Sequence, residues 1–131
     1  MDYKILIADD EPLIRNGVKK IIDWESLGFS KIFLAEDGQE ALDIIKKNHV
    51  DLVLTDIVMP FMDGLQLSRL VKKALPATKI IILSGYNEFE YAISAMRLGA
   101  LDYLLKPIQP AQLDAVLRRA AEKLENGMTG F

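Results

Sequence analysis

The sequence predicts an α/β fold, a doubly wound parallel sheet of five strands with helices on both faces. Five short apolar runs lack polar alternation, which is typical of strands covered on both faces. They are residues 5–8, 32–35, 52–54, 80–83 and 103–105. The residues just before these runs lie 27, 20, 28 and 23 positions apart, which leaves room for one crossover helix each time. We therefore expect five consecutive βα units.

Helical periodicity fills the segments between and after the strands. The last three helices follow the i, i+3, i+4, i+7 template, and the first two have shorter apolar faces. The apolar positions are 14, 18, 21 and 22; 41, 42 and 45; 67, 70, 71 and 74; 89, 92, 93 and 96; and 113, 116, 117 and 120. Pro12 suits the start of the first helix, and Asp37-Gly38 precedes the second. We expect Pro76 to end the third helix, and Asn87 and Gly99 to bound the fourth.

The composition is that of a single globular domain. The chain has 131 residues, of which 50% are hydrophobic and 27% charged, and its formal net charge is −3. The absence of cysteine excludes disulfides and thiolate metal sites, and the lone His49 excludes a multi-histidine site. We assign residues 1–124 to the domain. Residues 125–131, where the periodicity stops, are expected to be a tail, the start of a linker or an engineered end.

Membranes and nucleic acids are not expected to contact this domain. Its apolar runs fall far short of the ~18 residues needed to span a bilayer. The N-terminus lacks the features of a signal peptide, so we expect a cytoplasmic location. With 19 acidic and 16 basic residues, the chain has no overall positive charge that would attract nucleic acid. If DNA is involved, we expect another domain to read it.

Polar residues follow four of the five predicted strands, where ligands bind in open parallel sheets. Asp9 and Asp10 come after the first strand, Asp56 after the third, Ser84 after the fourth and Lys106 after the fifth. Three carboxylates at one edge repel each other unless a cation lies nearby, and a set of oxygen ligands suits Mg²⁺. A lysine at the same edge would attract an anion. The pattern indicates a phosphoryl site with Mg²⁺, lysine and a carboxylate acceptor.

These motifs resemble the receiver domain of bacterial two-component response regulators. The resemblance extends over about residues 3–124. It rests on Ile7-Ala8-Asp9-Asp10-Glu11, on Leu54-Thr55-Asp56-Ile57-Val58-Met59-Pro60 with Asp63-Gly64, on Leu83-Ser84-Gly85, and on Gly99-Ala100-Leu101-Asp102-Tyr103-Leu104-Leu105-Lys106-Pro107. It implies a flavodoxin-like, CheY-like (βα)5 fold with strand order 2-1-3-4-5.

The resemblance also implies a role for each site residue. Asp56 would be the phosphoacceptor, and Asp9, Asp10, Asp56 and the backbone carbonyl of Val58 would hold Mg²⁺. The roles of the other residues follow from the same resemblance: Ser84 and Lys106 would contact phosphoryl oxygens, Tyr103 would swing inward when Ser84 moves, and Lys106-Pro107 would be a cis peptide.

The expected partners follow from the family as well. A sensor histidine kinase would supply the phosphoryl group, and phosphorylation could bring two copies together as a homodimer. Residues 22–30 form a longer connection than most receivers carry, with an Asp-Trp-Glu…Leu-Gly-Phe pattern. A similar segment recurs in receivers of regulators with an AraC-type DNA-binding C-terminal region. We expect Trp24, Leu27 and Phe29 to pack this segment onto the domain.

Other readings of the same residues remain open at this stage. Asp9 and Asp10 could simply cap a helix, and Tyr103 could be ordinary strand packing. A degenerate receiver would bind partners without phosphorylation. A hydrolase with an aspartyl-phosphate intermediate needs an acid where Val58 stands, and a flavodoxin-like cofactor site would place an anion against the Asp9-Asp10 pair. Val58 and Tyr86 offer no group to orient a hydrolytic water, so we expect slow self-dephosphorylation.

Overall fold

Five parallel strands alternate with five α-helices in a computed structural model, which describes residues 2–85 and 88–128. A 3₁₀ turn, Glu25–Leu27, precedes the second strand. In chain order the elements are β1 Tyr3–Ala8, α1 Pro12–Ile21, β2 Phe29–Ala35, α2 Gly38–Lys47, β3 Leu52–Asp56, α3 Gly64–Ala74, β4 Lys79–Ser84, α4 Phe89–Arg97, β5 Asp102–Leu105 and α5 Pro110–Met128. The predicted order of five βα units is confirmed.

The sheet has the order β2-β1-β3-β4-β5, as the family resemblance implies, and every pairing is parallel. The chain reverses its direction of winding between β1 and β3, where Ala8 pairs with Thr55. The residues that follow this pair, Asp9 and Asp56, therefore lie level with each other at the carboxyl edge. This is the position where open parallel sheets bind ligands.

Two apolar layers cover the two faces of the sheet. Side chains alternate along β1, so Ile5 and Ile7 pack into one layer and Leu6 and Ala8 into the other. The first layer contains the buried faces of α1 and α5, and the second those of α2, α3 and α4. Because both faces are covered, β3 is buried at all of its positions, which explains why its sequence shows no polar alternation.

The predicted starts of α1 and α2 and the predicted ends of α3 and α4 agree with the structure. Pro12 is the first residue of α1, and the Asp37 carboxylate caps α2 by accepting a hydrogen bond of 2.8 Å from the Glu40 N–H. Gly99 follows α4 with a φ of 100°, which a residue with a Cβ rarely adopts. Asn87, the expected cap of α4, lies outside the described residues.

Residues 22–30 pack against the domain as the sequence predicts. Trp24, Leu27 and Phe29 are all buried in the layer beneath α1 and α5. The Trp24 and Phe29 rings meet edge to face with their centroids 5.8 Å apart. The Trp24 indole N–H donates a hydrogen bond of 2.9 Å to the Lys19 carbonyl at the end of α1. The segment is thus part of the hydrophobic core.

Helix α5 continues through Met128, whereas the sequence predicts a tail from residue 125. The apolar pattern stops at Leu124, which is the last buried residue of that face. A helix can extend past its packed face because its backbone hydrogen bonds are local. The division of the chain at residue 124 stays a prediction. None of the helices in the described ranges is long and apolar enough to cross a membrane.

Candidate functional site

The ends of β1 and β3 place two carboxylates side by side. Asp9 is completely buried and Asp56 is 4% exposed. The chain leaves β3 in a tight reversal, in which the Gly64 N–H donates to the Ile57 carbonyl at 2.7 Å. A Cβ on Gly64 would overlap the Asp56 carbonyl oxygen, so the glycine permits this close approach. The reversal brings the start of α3 directly against the end of β3.

Lys106 reaches these carboxylates from β5. Its backbone N–H donates to the Ser84 carbonyl at 2.8 Å, which continues the pairing of β4 with β5. Its Nζ lies 2.9 Å from Asp56 Oδ2, 3.1 Å from Asp9 Oδ2 and 3.4 Å from Glu11 Oε1. The ammonium therefore links the residue after β5 to carboxylates that follow β1 and end β3. The Lys106-Pro107 peptide is cis, as the family resemblance implies.

Burial and mutual charge set the protonation of these groups. Burial raises the pKa of Asp56 to about 6, and the negative charges of Asp9 and Glu88 act in the same direction, against Lys106. Burial also raises the pKa of Asp9. Burial alone would lower the pKa of Lys106, but its hydrogen bond to Asp56 and the nearby carboxylates outweigh that effect and raise the pKa. The lysine is thus firmly charged.

Four carboxylates lie close enough to share one cation. The side chains of Asp9, Asp10, Glu11 and Asp56 each offer an oxygen, and these oxygens all lie within 4.8 Å of one another. Asp10 and Glu11 are exposed, which leaves one side of the cluster open to water. Mg²⁺ takes oxygen ligands and retains several waters, so the cluster fits this ion. The role of the Val58 carbonyl stays a prediction; Val58 is 52% exposed.

A second observation points to an anion at the same edge. Ser84 ends β4 and is fully buried, and its hydroxyl has no hydrogen-bond partner in the described part of the chain. Buried hydroxyls are normally paired, because an unpaired one costs free energy. A phosphoryl oxygen is an acceptor of the kind that this hydroxyl could satisfy. The predicted grouping of Asp9, Asp56, Ser84 and Lys106 at one edge agrees with these positions.

Tyr103 lies in β5, beside α4. It pairs with Ile82 in the sheet and lines an apolar groove of about 310 Å³ together with Phe89, Ile93 and Met96 of α4. The side chain is partly buried. Its switch role stays a prediction. Tyr86, which the family resemblance places beside the water that would hydrolyse the aspartyl phosphate, lies outside the described residues.

His49 takes no part in the site. It precedes β3 at the opposite edge of the sheet, and its exposed ring lies 2.8 Å from Asp51 Oδ1.

Two other residues were missed by the sequence analysis. Glu11 joins the Lys106 cluster, and its place directly after the aspartate pair could have suggested this. Glu88 affects Asp56 from the loop after β4, and no local pattern identifies it.

The sheet order, the acidic edge and the bridging lysine define a class of protein. The chain belongs to the response regulator receiver domain family, whose sequence pattern matches residues 5–118. This finding confirms the resemblance that the motifs carry.

Several known proteins are similar to this chain over most of its length. The uncharacterized transcriptional regulatory protein YesN of Bacillus subtilis is 46% identical over 123 residues, which are 94% of this chain and 33% of YesN. The receiver domain of AraT, a response regulator of Geobacillus stearothermophilus, is 44% identical with a TM-score of 0.93, and the match covers 98% of this chain and 99% of that one. A two component transcriptional regulator AraC from Clostridium phytofermentans is 36% identical with a TM-score of 0.89, over 95% and 97% of the two chains.

The chain spans between a third and a half of the length of the curated relatives that it matches. The relatives' names therefore describe larger proteins. The receiver domain is the part that they share with this chain.

Proposed function

We propose that this domain accepts a phosphoryl group on Asp56 from the phosphohistidine of a sensor histidine kinase. One observation carries the proposal. Lys106 donates to Asp56 and lies beside Asp9, within a carboxylate cluster that fits Mg²⁺. An acceptor carboxylate, a fixed cation and a metal cluster are the parts that phosphoryl transfer requires.

Each residue contributes a distinct step to this chemistry. Asp56 attacks phosphorus as the ionised carboxylate, which predominates at neutral pH because its pKa is about 6. The new O–P bond forms as the P–N bond to the kinase histidine breaks, and the imidazole of the kinase is the leaving group. Lys106 turns from the carboxylates to an oxygen of the transferred group, and the Ser84 hydroxyl donates to another. Asp9, Asp10, Asp56 and the Val58 carbonyl would hold Mg²⁺. When bound, the ion neutralises negative charge on the phosphoryl oxygens.

Phosphorylation then changes the surface of the domain. The aspartyl phosphate adds about −1.5 to −2 of charge, which draws Ser84 and its loop toward the site. Tyr103 moves into the space vacated beside Ser84 and leaves the groove that it shares with α4. Because the two arrangements differ in charge and packing, the modification shifts a two-state population. The altered face around α4, β5 and α5 is read by a partner or by a second copy of the domain.

The whole protein is proposed to be a cytoplasmic two-component regulator of transcription. Relatives named as transcriptional regulators support this, as does the match to a two component transcriptional regulator named AraC. The Asp-Trp-Glu…Leu-Gly-Phe pattern of residues 22–30, which resembles that of receivers with an AraC-type DNA-binding region, also favours such a region here. In that arrangement the receiver itself binds neither DNA nor membrane and acts on no external substrate. Its only chemistry is its own phosphorylation and dephosphorylation.

Intact mass measurement tests the phosphorylation directly. The domain is incubated with Mg²⁺ and a small phosphodonor, and wild type is compared with Asp56→Ala. We expect one phosphoryl adduct on wild type and none on the variant. Asp43→Ala, which removes an exposed carboxylate from α2, serves as the control and should be modified like wild type. The same samples, followed after removal of the donor, measure the lifetime; slow loss is expected because Val58 offers no group to orient water.

Three results would contradict the proposal. An adduct that persists in Asp56→Ala would mean that another residue is the acceptor. The absence of any adduct on wild type would favour a degenerate receiver, which binds partners without phosphorylation. Continuous release of phosphate from the donor would instead favour a hydrolase.

A further inference from the structure

A cavity of about 350 Å³ lies between the 3₁₀ turn and α5, at the opposite edge of the sheet from the carboxylate cluster. Tyr3 lines it and begins β1, whose other end leads to Asp9, so the length of this strand separates the cavity from the proposed phosphorylation site. The connection 22–30 supplies one wall, and the C-terminal part of α5 supplies another. The proposed phosphoryl transfer uses none of these lining residues.

Tyr3 brings a buried hydroxyl without a hydrogen-bond partner to this cavity. The residue is 4% exposed, and its hydroxyl forms no hydrogen bond within the described part of the chain. Its ring packs against Phe29, with the centroids 6.0 Å apart. Burial and the charge of Glu125 raise the pKa of Tyr3, which places the hydroxyl within reach of the wall that α5 forms. Buried tyrosine hydroxyls usually have a partner, so this one is available to a polar group that enters the cavity.

Acidic side chains surround the opening of the cavity. Glu25 lies on the 3₁₀ turn, Glu122 and Glu125 lie on α5, and all three are exposed. Among the described lining residues, Arg118 alone carries a positive charge. Its Nε donates to Asp114 Oδ2 at 2.8 Å, so that charge is already balanced by a neighbouring carboxylate. The lining therefore has an excess of negative charge, which attracts a cation and repels an anion.

The spacing of these carboxylates favours an organic cation over a metal ion. Across the described ranges, three or more acidic or histidine ligands converge within 4.8 Å only in the carboxylate cluster at the other edge of the sheet. A guanidinium group presents five N–H donors in one plane, so it can reach separated acceptors at once. It is also more weakly hydrated than an ammonium, which lowers the cost of placing it beside a buried phenol. Its apolar stem would lie against Leu27 and Ala121 in the lining.

We propose that this cavity binds the guanidinium group of an arginine side chain presented by another protein segment. The Tyr3 hydroxyl accepts a hydrogen bond from the group, and Glu122 and Glu125 balance its charge. Because the carboxylates lie at the open rim, the cavity admits a side chain that projects from outside and leaves the rest of its segment on the surface. The inference does not depend on the phosphorylation of Asp56.

NMR titration with short peptides measures this binding. The domain is titrated with the blocked peptide Gly-Gly-Arg-Gly-Gly, and the amide signal of Gly28, which lines the cavity, is followed. We expect saturable binding in the millimolar range that weakens as salt is added. The corresponding lysine peptide should bind about fivefold more weakly, and the uncharged citrulline peptide should not saturate the signal. Agmatine, which carries the same group without a peptide, should bind no more tightly than the arginine peptide.

Substitutions in the cavity assign the contacts. Tyr3→Phe keeps the packed ring and should weaken binding of the arginine peptide about tenfold, because a hydrogen bond from a charged donor is lost. Glu125→Gln should weaken it about threefold. Glu90→Gln removes an exposed carboxylate from the first turn of α4 and should bind like wild type. Urea unfolding shows whether each variant is folded; Tyr3→Phe should be at least as stable as wild type, since it removes an unpartnered buried hydroxyl.

Four results would overturn this inference. They are the absence of saturation with the arginine peptide, equal binding of the citrulline or lysine peptide, wild-type affinity in Tyr3→Phe, and binding of agmatine without binding of the arginine peptide. Each of them would leave the proposed phosphorylation of Asp56 untouched, because that reaction is measured by a separate assay at the other edge of the sheet.

Discussion

Lys106 is one charged side chain that keeps two buried carboxylates ionised. Its Nζ lies 2.9 Å from Asp56 and 3.1 Å from Asp9, whose side chains are 5% and 0% exposed. Desolvation of either carboxylate alone would be costly, and the ammonium offsets that cost. In the proposed reaction, Lys106 would therefore already be in place before the phosphoryl group arrives, and the carboxylates would release it to that group.

Lys106→Met is expected to destabilise the metal-free domain by about 3 kcal/mol at pH 8, because two carboxylates remain buried without a cation. The loss should be smaller at pH 5. The pKa of Asp56 is raised in the folded state, so the folded domain binds its proton more tightly than the unfolded chain. Its ionisation therefore lowers stability progressively as the pH rises from about 4 to above 6, and removal of Lys106 extends this range upward.

Urea unfolding at the two pH values measures both quantities. Lys46→Met, which removes an exposed lysine from α2, is the matched control and should change stability little at either pH. An equal loss at pH 5 and pH 8 would contradict the electrostatic explanation. It would indicate that the lysine acts through the packing of its methylene groups.

Among the elements, the reversal between β3 and α3 leaves no room for a side chain at Gly64. Gly64 begins α3 directly against the Asp56 carbonyl, and the Asp63 carboxylate caps the helix by accepting from the Gln66 N–H at 2.8 Å. The Gln66 side-chain oxygen accepts in turn from the Asp63 N–H, which completes a capping box. The direction of α3 and the position of residues 57–63, which follow Asp56, are thus set by the same few residues.

Gly64→Ala is expected to destabilise the domain by about 2 kcal/mol, since its Cβ has no room and the backbone must shift. Gly17→Ala makes the same chemical change inside α1, where a Cβ would meet no atom within 4 Å. That variant should gain about 0.5–1 kcal/mol, because alanine favours helix over glycine. Chemical denaturation compares them. Similar effects of the two substitutions would refute the close-contact argument.

For the molecule as a whole, the proposed Mg²⁺ site would link ion binding to folding. Its carboxylates follow β1 and end β3, so the cluster forms only when the sheet is assembled. An ion that binds the folded domain alone stabilises it by mass action, by about 1.4 kcal/mol at ten times its dissociation constant. We therefore expect saturating Mg²⁺ to raise the melting temperature of wild type by about 4 °C.

Asp10→Asn should lose most of this Mg²⁺-dependent increase while remaining folded, since Asp10 is exposed and its side chain makes no described core contact. Without Mg²⁺ the variant should melt no lower than wild type, because one of several neighbouring negative charges is removed. Asp43→Asn on α2 controls for the loss of a surface carboxylate and should respond to Mg²⁺ like wild type. A full response of Asp10→Asn would place the ion elsewhere.

Much of this architecture follows from local sequence. The apolar runs predict the strands because burial on both faces requires apolar side chains at consecutive positions. Pro12 and Asp37 mark helix starts because they satisfy local backbone geometry and hydrogen bonding. The general rule for parallel sheets then brings the residues after these strands to one edge, and the family motifs supply the strand order.

Only the tertiary structure decides those features that depend on distances between remote parts of the chain. The sequence determined that Asp9, Asp56 and Lys106 stand at strand ends. Only the packed sheet places one ammonium within reach of both carboxylates. The same packing buries Asp56 and thereby raises its pKa. No periodic pattern in the sequence indicates the hydrogen bond between Gly85 and Glu88 or the extension of α5 to Met128. Periodicity records which face of an element is buried, whereas charge contacts and desolvation arise only when separate elements pack together.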